Sequence, residues 1–138
     1  MKRLVEYIYE NKINIDFYQK ADDIMPSGLH ISDNKDIDFI LLIQPTKILD
    51  RKKTLEYCDK NDCRLPTLEE WHAIYNNLGK INYMLRDIRV QELNNGLPIF
   101  YWIDKEPEND KFGYKYNLAK NKEIRDLVTT PGYTVFVK

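Results

Sequence analysis

From Leu68 to Leu78 the apolar side chains fall at Leu68, Trp71, Ile74, Tyr75 and Leu78, the spacing of one helical face, while Glu69, His72 and Asn76 fall on the other. Thr67 and Glu70 form a capping box ahead of that face, in which each side chain satisfies a backbone donor of the first turn. Pro66 favours an extended approach, and Gly79 is read as the stop. Upstream, Leu4 to Tyr18 alternates as a hairpin, with Val5, Tyr7 and Tyr9 in one strand, Ile13, Ile15 and Phe17 in the next, and Glu10-Asn11-Lys12 as the turn. A helix over Leu4 to Tyr9 is the rival reading.

Gln19 to Asp38 is rich in Asp, Ser, Gly and Asn, so it reads as loop with at most a short strand at Leu29-His30-Ile31, His30 being a loop or edge-strand residue. Asp38 to Ile43 is a continuous apolar run, the pattern of a strand covered on both faces. Thr46 or Asp50 caps the following helix, whose inward residues are expected to be Ile48, Leu55 and Cys58. After Gly79, Ile81 to Ile88 suggests a further short helix, and Asn94-Asn95-Gly96 a turn. Ile99 to Ile103 reads as an interior strand. Phe112 to Leu118 alternates instead, with Tyr114, Tyr116 and Leu118 on one face and Lys115 and Asn117 on the other, before a turn at Asn121-Lys122. Thr130-Pro131-Gly132 turns the chain into a closing strand, Tyr133 to Val137.

Composition narrows the function. With 138 residues, 43% hydrophobic and 31% charged, the chain fits a single domain that needs no metal or disulfide to hold it. The net charge of −1, and a longest basic run of only Arg51-Lys52-Lys53, give nucleic acid no phosphate track. The longest apolar run, Phe39 to Ile43, is far short of the ~20 residues that span a bilayer, so no membrane insertion is expected. The first residues lack a signal-peptide core, which makes a cytoplasmic address the default; a cell-surface or secreted one applies if a native signal was removed. Cys58 and Cys63 read as two buried thiols or, in an exported protein, as a local disulfide; a zinc site would have to recruit His30 and His72 at a spacing that fits no ligand pattern.

No phosphate loop occurs, Ser27 and Ser32 lack an evident base, and no acid–base pair stands out, so no catalytic residue and no cofactor is named. His72 falls on the polar face, and Trp71 and Trp102 read as core anchors rather than ligand platforms.

A helix ending at Tyr57-Cys58, then Arg64-Leu65-Pro66-Thr67 with Glu69 and Glu70 opening an apolar helix, then the Tyr101-Trp102 strand and a terminal strand resemble the C-type-lectin-like fold. The likeness is to its bacterial branch, which includes the C-terminal domain of collagen-like surface adhesins, and is strongest over residues 38–138. It implies an α+β domain with a mostly antiparallel, twisted sheet, two to three flanking helices, and the N-terminal strand paired with the terminal one. The Arg-Leu-Pro-Thr helix start also occurs in formylglycine-generating sulfatase-modifying enzymes, which share the fold. Their reactive cysteines lie towards the C-terminus, whereas none follows the motif here, so that chemistry is not inherited.

The resemblance implies a binding or protein-interaction module whose glycan or protein ligand meets the irregular region between Asn94 and Lys120. Glu106, Asn109 and Asp110, beside Tyr114 or Tyr116, are the expected ligand surface, with rings to stack and oxygens to direct hydrogen bonds. Sugar-binding lectins hold calcium with a Glu-Pro-Asn loop and a later Trp-Asn-Asp strand. Here Glu108 interrupts the first and the second is missing, so the surface is expected to work without metal. A subunit of a larger bacterial surface or effector assembly, and an enzyme with an unrecognised site, are the alternatives.

Overall fold

The computed structural model describes residues 13–33, 35–44, 46–93 and 99–138. Within them the chain forms β1 (Asn14–Tyr18), β2 (Gly28–Ser32), β3 (Asp38–Leu42), β4 (Ile48–Leu49), α1 (Arg51–Asn61), α2 (Leu68–Asn76), α3 (Leu78–Asp87), β5 (Phe100–Trp102), β6 (Phe112–Asn117), β7 (Lys122–Leu127) and β8 (Gly132–Tyr133). One sheet has the order β1-β2-β3 and the other β4-β8-β5-β6-β7. The pairings are antiparallel except that of β5 with β8. The architecture is therefore mixed α+β with mostly antiparallel sheets.

The last residues join the two sheets. Beyond β8, Leu42 N–H donates to Phe136 O (2.9 Å), and Ile40 and Lys138 exchange two backbone hydrogen bonds (3.0 and 2.9 Å), so β3 gains a partner on its second side. Val137 also exchanges bonds with Arg64 (3.0 and 2.8 Å), which ties the approach to α2 to the same strand.

The approach to α2 is cross-linked by its own side chains. Thr67 Oγ1 accepts from Glu70 N–H (3.2 Å) and Glu70 Oε1 from Thr67 N–H (2.9 Å), so the capping box forms as the sequence specifies. Arg64 then grips Glu70 with both terminal nitrogens, Nη1–Oε1 at 2.6 Å and Nη2–Oε2 at 2.8 Å, the two-point geometry that suits a guanidinium and a carboxylate. Glu70 is buried, whereas the Arg64 side chain keeps 40% of its exposure.

Helix α2 carries Trp71 into the core, where the indole lies 4.9 Å from the Tyr101 ring and 5.1 Å from the Tyr116 ring and is fully buried. Among the described residues its N–H has no hydrogen-bond partner, and packing holds the ring. The same cluster takes in Ile15, Leu29 and Phe39 from the first sheet, giving both sheets one core. A smaller cluster of Cys58, Leu65, Trp102 and Phe136 adjoins α1, with Tyr57 stacked on Phe136 at 4.7 Å.

Several expectations change. The strand over Leu4 to Tyr9, its turn and the turn at Asn94-Asn95-Gly96 lie outside the described residues. The following strand forms as β1 and pairs with β2, and β3 meets the C-terminal segment; the pairing expected of the strand at the N-terminus lies outside the described residues. The short strand at Leu29 to Ile31 is a full β2, so His30 lies on a strand between two others rather than on an edge. In α1 it is Thr54 and Cys58 that are buried, while Leu55 stays 36% exposed and Ile48, in β4, 57% exposed; Asp50 caps the helix through Lys53 N–H. Gly79 stops nothing. Helix α2 ends at Asn76, Asn77 Nδ2 donates to Ala73 O (2.8 Å), and buried Leu78 turns the chain straight into α3, with Gly79 in its first turn. The closing strand is β8 for two residues before the chain leaves its sheet.

The largest departure is Lys115. Simple alternation puts it in water, yet it is 1% exposed, because this sheet is covered on both faces. Its ammonium donates to Asp126 Oδ2 (2.8 Å), Thr130 O (3.1 Å) and Pro131 O (3.4 Å) and lies 4.4 Å from the Trp102 ring centre. Three acceptors for three N–H groups replace the lost hydration. Gly132 makes room for this, since a Cβ there would come within 2.8 Å of Trp102 Nε1 and 2.9 Å of Lys115 Cε. Burial acts to raise the Asp126 carboxyl, but the Lys115 hydrogen bond, the Leu127 N–H and the Lys115 charge together outweigh it and hold the group below the usual carboxylate range. Strand β7, which carries Asp126, was not expected, because its mixed Lys-Glu-Ile-Arg-Asp-Leu sequence has the charge of an exposed edge strand.

Truncating Trp71 to Ala is expected to cost ~3–5 kcal/mol and His72, exposed one position on, less than about 0.5 kcal/mol. Equal effects in thermal melts would contradict this packing. Glu70→Gln keeps an acceptor for Thr67 N–H but loses the charge opposite Arg64, and is expected to cost ~1–2 kcal/mol after allowance for the exposure of Arg64. Glu70→Ala should cost about twice as much, and urea unfolding at pH 7 that found both substitutions neutral would rule out the role given to this pair.

Candidate functional site

The turn from β5 to β6 carries Glu106, Asn109 and Asp110, and all three are exposed. Asn109 uses its side-chain oxygen internally, accepting from Lys111 N–H (2.8 Å) and Phe112 N–H (3.0 Å), so its first role is to close the turn. Glu108, the inserted residue, pairs with Arg125 (Oε2–Nε 2.5 Å), whose guanidinium covers Phe112 at 3.7 Å. Tyr114 lies under Lys105, with Nζ 4.1 Å from the ring centre and bound to Glu123 (2.6 Å). Tyr116 lies in the core, its hydroxyl hydrogen-bonded to Asn121 and pushed up to about 12 by burial and then by Tyr75. The structure thus keeps Glu106, Asn109 and Asp110 together on one turn, places Tyr114 beneath a lysine at the edge of the core, and buries Tyr116 within it.

The environment disfavours both thiolates. Burial and then the neighbouring Cys63 raise Cys58 to about 12, and burial raises Cys63. Both are free, with Cys63 N–H donating to Cys58 O (3.3 Å) at the end of α1. His72 is exposed, and His30 Nε2 lies 2.6 Å from Asp38 Oδ1 across the β2–β3 pair. Among the described residues no three His, Cys, Asp or Glu side chains are grouped to hold a metal, and no helix is long and apolar enough to cross a membrane.

A cavity of about 560 Å³ opens instead among three segments distant in sequence. The end of β3 and the residues after it contribute Leu41 to Gln44 and Thr46. The end of α3 and its continuation give Leu85 and Val90 to Leu93, with Ile99 and Tyr101 beside them. Tyr133 to Phe136 form the third wall. The α3 wall is built by backbone reversal: Arg89 adopts a left-handed φ of 60°, Val90 N–H returns to Leu85 O (2.9 Å), and Asn82 binds both the N–H and the C=O of Leu93 (2.8 and 2.9 Å).

Most of the lining is apolar, and its polar members are largely engaged. Thr134 Oγ1 bonds both Lys47 N–H and Lys47 O (3.0 and 3.1 Å), Gln44 Oε1 accepts from Tyr57 (2.8 Å), and Glu92 pairs with Arg86 (2.5 Å). That hydrogen bond from Arg86 holds the Glu92 carboxyl below its usual range, so Glu92 is charged at neutral pH. Sequence reasoning missed this cavity. Leu41, Leu85 and Val135 carry the same apolar signal whether they fill a core or line a space, and only the three-dimensional arrangement separates the two.

With Cys58 near 12 rather than the ordinary ~8.5, iodoacetamide at pH 8 should modify it at least about a hundredfold more slowly in the native chain than in urea. Equal rates would place the thiol in an environment other than the one described. Compared with family models, curated proteins and solved structures, the chain has no match.

Proposed function

We propose that this chain is a non-catalytic binding module of C-type-lectin-like topology, and that it takes its ligand in the cavity rather than on the acidic turn. The order of elements supports the topology: α1, then the Arg64-to-Glu70 start of α2, then the Tyr101-Trp102 strand, then a terminal strand returning between β4 and β5. The single observation that carries the binding role is the cavity itself. At about 560 Å³ it lies within the ~300–1,000 Å³ range of small-ligand sites, and it has a mainly apolar wall carrying a few polar groups. Among the described residues its lining has no cysteine, histidine or lysine, and its carboxylate, Glu92, is already paired. A binding role needs only shape and a few directed polar groups, whereas catalysis needs a nucleophile or a tuned acid and base.

The test uses N-phenyl-1-naphthylamine, an uncharged fluorophore that brightens in apolar surroundings. Titration should saturate near one dye per chain. Val90→Trp and, from the opposite wall, Ile43→Trp should each abolish the signal in chains that still melt cooperatively. Absence of brightening, or brightening indifferent to both substitutions, would overturn the proposal.

A further inference from the structure

We infer that Cys58 and Cys63 form a site of reversible oxidation, at which a small-molecule disulfide is reduced while the two thiols close an intrachain disulfide at the end of α1. Neither residue lines the cavity.

The helix end brings the pair together. Asp62 adopts a left-handed conformation (φ 49°) just after Asn61, and both its N–H and that of Cys63 (3.3 Å) donate back to Cys58 O. A helix that closes in this way folds the residue after the left-handed one onto a side chain of its last turn. Cys63 accordingly packs against the cluster of Cys58, Leu65, Trp102 and Phe136, and the two thiols interact directly. A disulfide joins residues whose Cα atoms lie roughly 4.4–6.8 Å apart, and residues linked by a backbone hydrogen bond across a left-handed turn stand at about that spacing.

The two thiols have different parts. Cys58 is buried, whereas Cys63 is half-buried and within reach of a reagent. Burial raises both; their contact raises Cys58 further and lowers Cys63, and the charges of Asp62 and Lys138, which oppose each other at Cys63, are paired (3.3 Å). Cys63 is therefore the thiol that ionises first and attacks. Its thiolate bonds to one sulfur of the small disulfide, whose S–S bond breaks, and the departing thiolate takes up a proton. Cys58 then gives its proton to solvent, and its sulfur displaces the second small thiolate from Cys63 Sγ, which is protonated in turn. The two protein thiols have lost two electrons, the small disulfide has gained them, and two small thiols leave. Excess small thiol drives the same steps backwards.

Native chain incubated at pH 8 with oxidised glutathione and mapped by mass spectrometry is expected to carry a Cys58–Cys63 bond that dithiothreitol removes. Cys58→Ala should halt at a glutathione adduct on Cys63, and Cys63→Ala should react at least about tenfold more slowly than the native chain, each in chains that still melt cooperatively. Titrated against glutathione redox buffers, the pair should close with an effective concentration at least about tenfold higher in the native chain than in urea, because the helix end holds the sulfurs together. A native chain that keeps the adduct without closing the bond, or does not react at all, would overturn the inference. So would equal rates for the native chain and Cys63→Ala, or equal effective concentrations with and without urea. Should a variant fail to fold, the comparison of native chain with urea decides alone.

Discussion

The two-point pair between Arg64 and Glu70 is the contact on which the rest of the fold depends. Glu70 is a carboxylate buried at the start of a helix, where the aligned peptide dipoles favour negative charge, and it is satisfied from two sides by Arg64 and by Thr67 N–H. Arg64 is also held through its main chain, by the two bonds to Val137, and Pro66 O accepts from Asp104 N–H (2.8 Å) just beyond β5. One short stretch thereby fixes the orientation of α2, the C-terminal segment and the end of the Tyr101-Trp102 strand. The Arg-Leu-Pro-Thr sequence is explained in full by this cross-linking, so its presence says how the chain folds and nothing about what it binds.

Lys115 plays the same part on the other face of the sheet. Its ammonium gathers Asp126 from β7 and two carbonyls from the turn before β8, while Trp102, beneath it, donates to Leu49 O (2.8 Å) in β4. A hydrocarbon side chain could fill that space, but it could not satisfy the Thr130 and Pro131 carbonyls, so the buried cation sets the path by which the chain enters β8. Desolvating the ammonium is costly. Three acceptors and the face of Trp102 offset that cost only if the turn stays where it is, which makes this turn a fixed part of the structure despite lying near the surface.

What the sequence disclosed follows the range of the physics involved. The capping box, the apolar run of β3 and the aromatic β5 are local patterns, and each forms where expected. Helix α1 was found with Cys58 inward as expected, but Thr54 rather than Leu55 shares its buried side: the helix packs on one small cluster, and Thr54 can be buried because its hydroxyl donates to Asp50 O (2.7 Å). Lys115 and β7 were hidden because alternation assumes one wet face, and this sheet has none at that position. The acidic turn was expected as a ligand surface from its composition and from the resemblance. Its Asn109 closes the turn, its Tyr114 is covered, and Tyr116 belongs with Trp71, distinctions that depend on neighbours far away in the chain.

The cavity has a cause in the topology. At Tyr133 the chain is paired with Ile48 and Tyr101, within the five-stranded sheet, and by Phe136 it is bonded to Leu42 in the other. Thr134 and Val135 therefore make the crossing between sheets, and the Thr134 hydroxyl, held by Lys47, steers it. The two sheets meet at this crossing, and the end of α3 with its reversed tail stands opposite it around the opening. The opening lies at that junction, between the crossing segment and the end of α3. Under the binding role proposed above, the shape of that opening and the few polar side chains of its lining set what it admits.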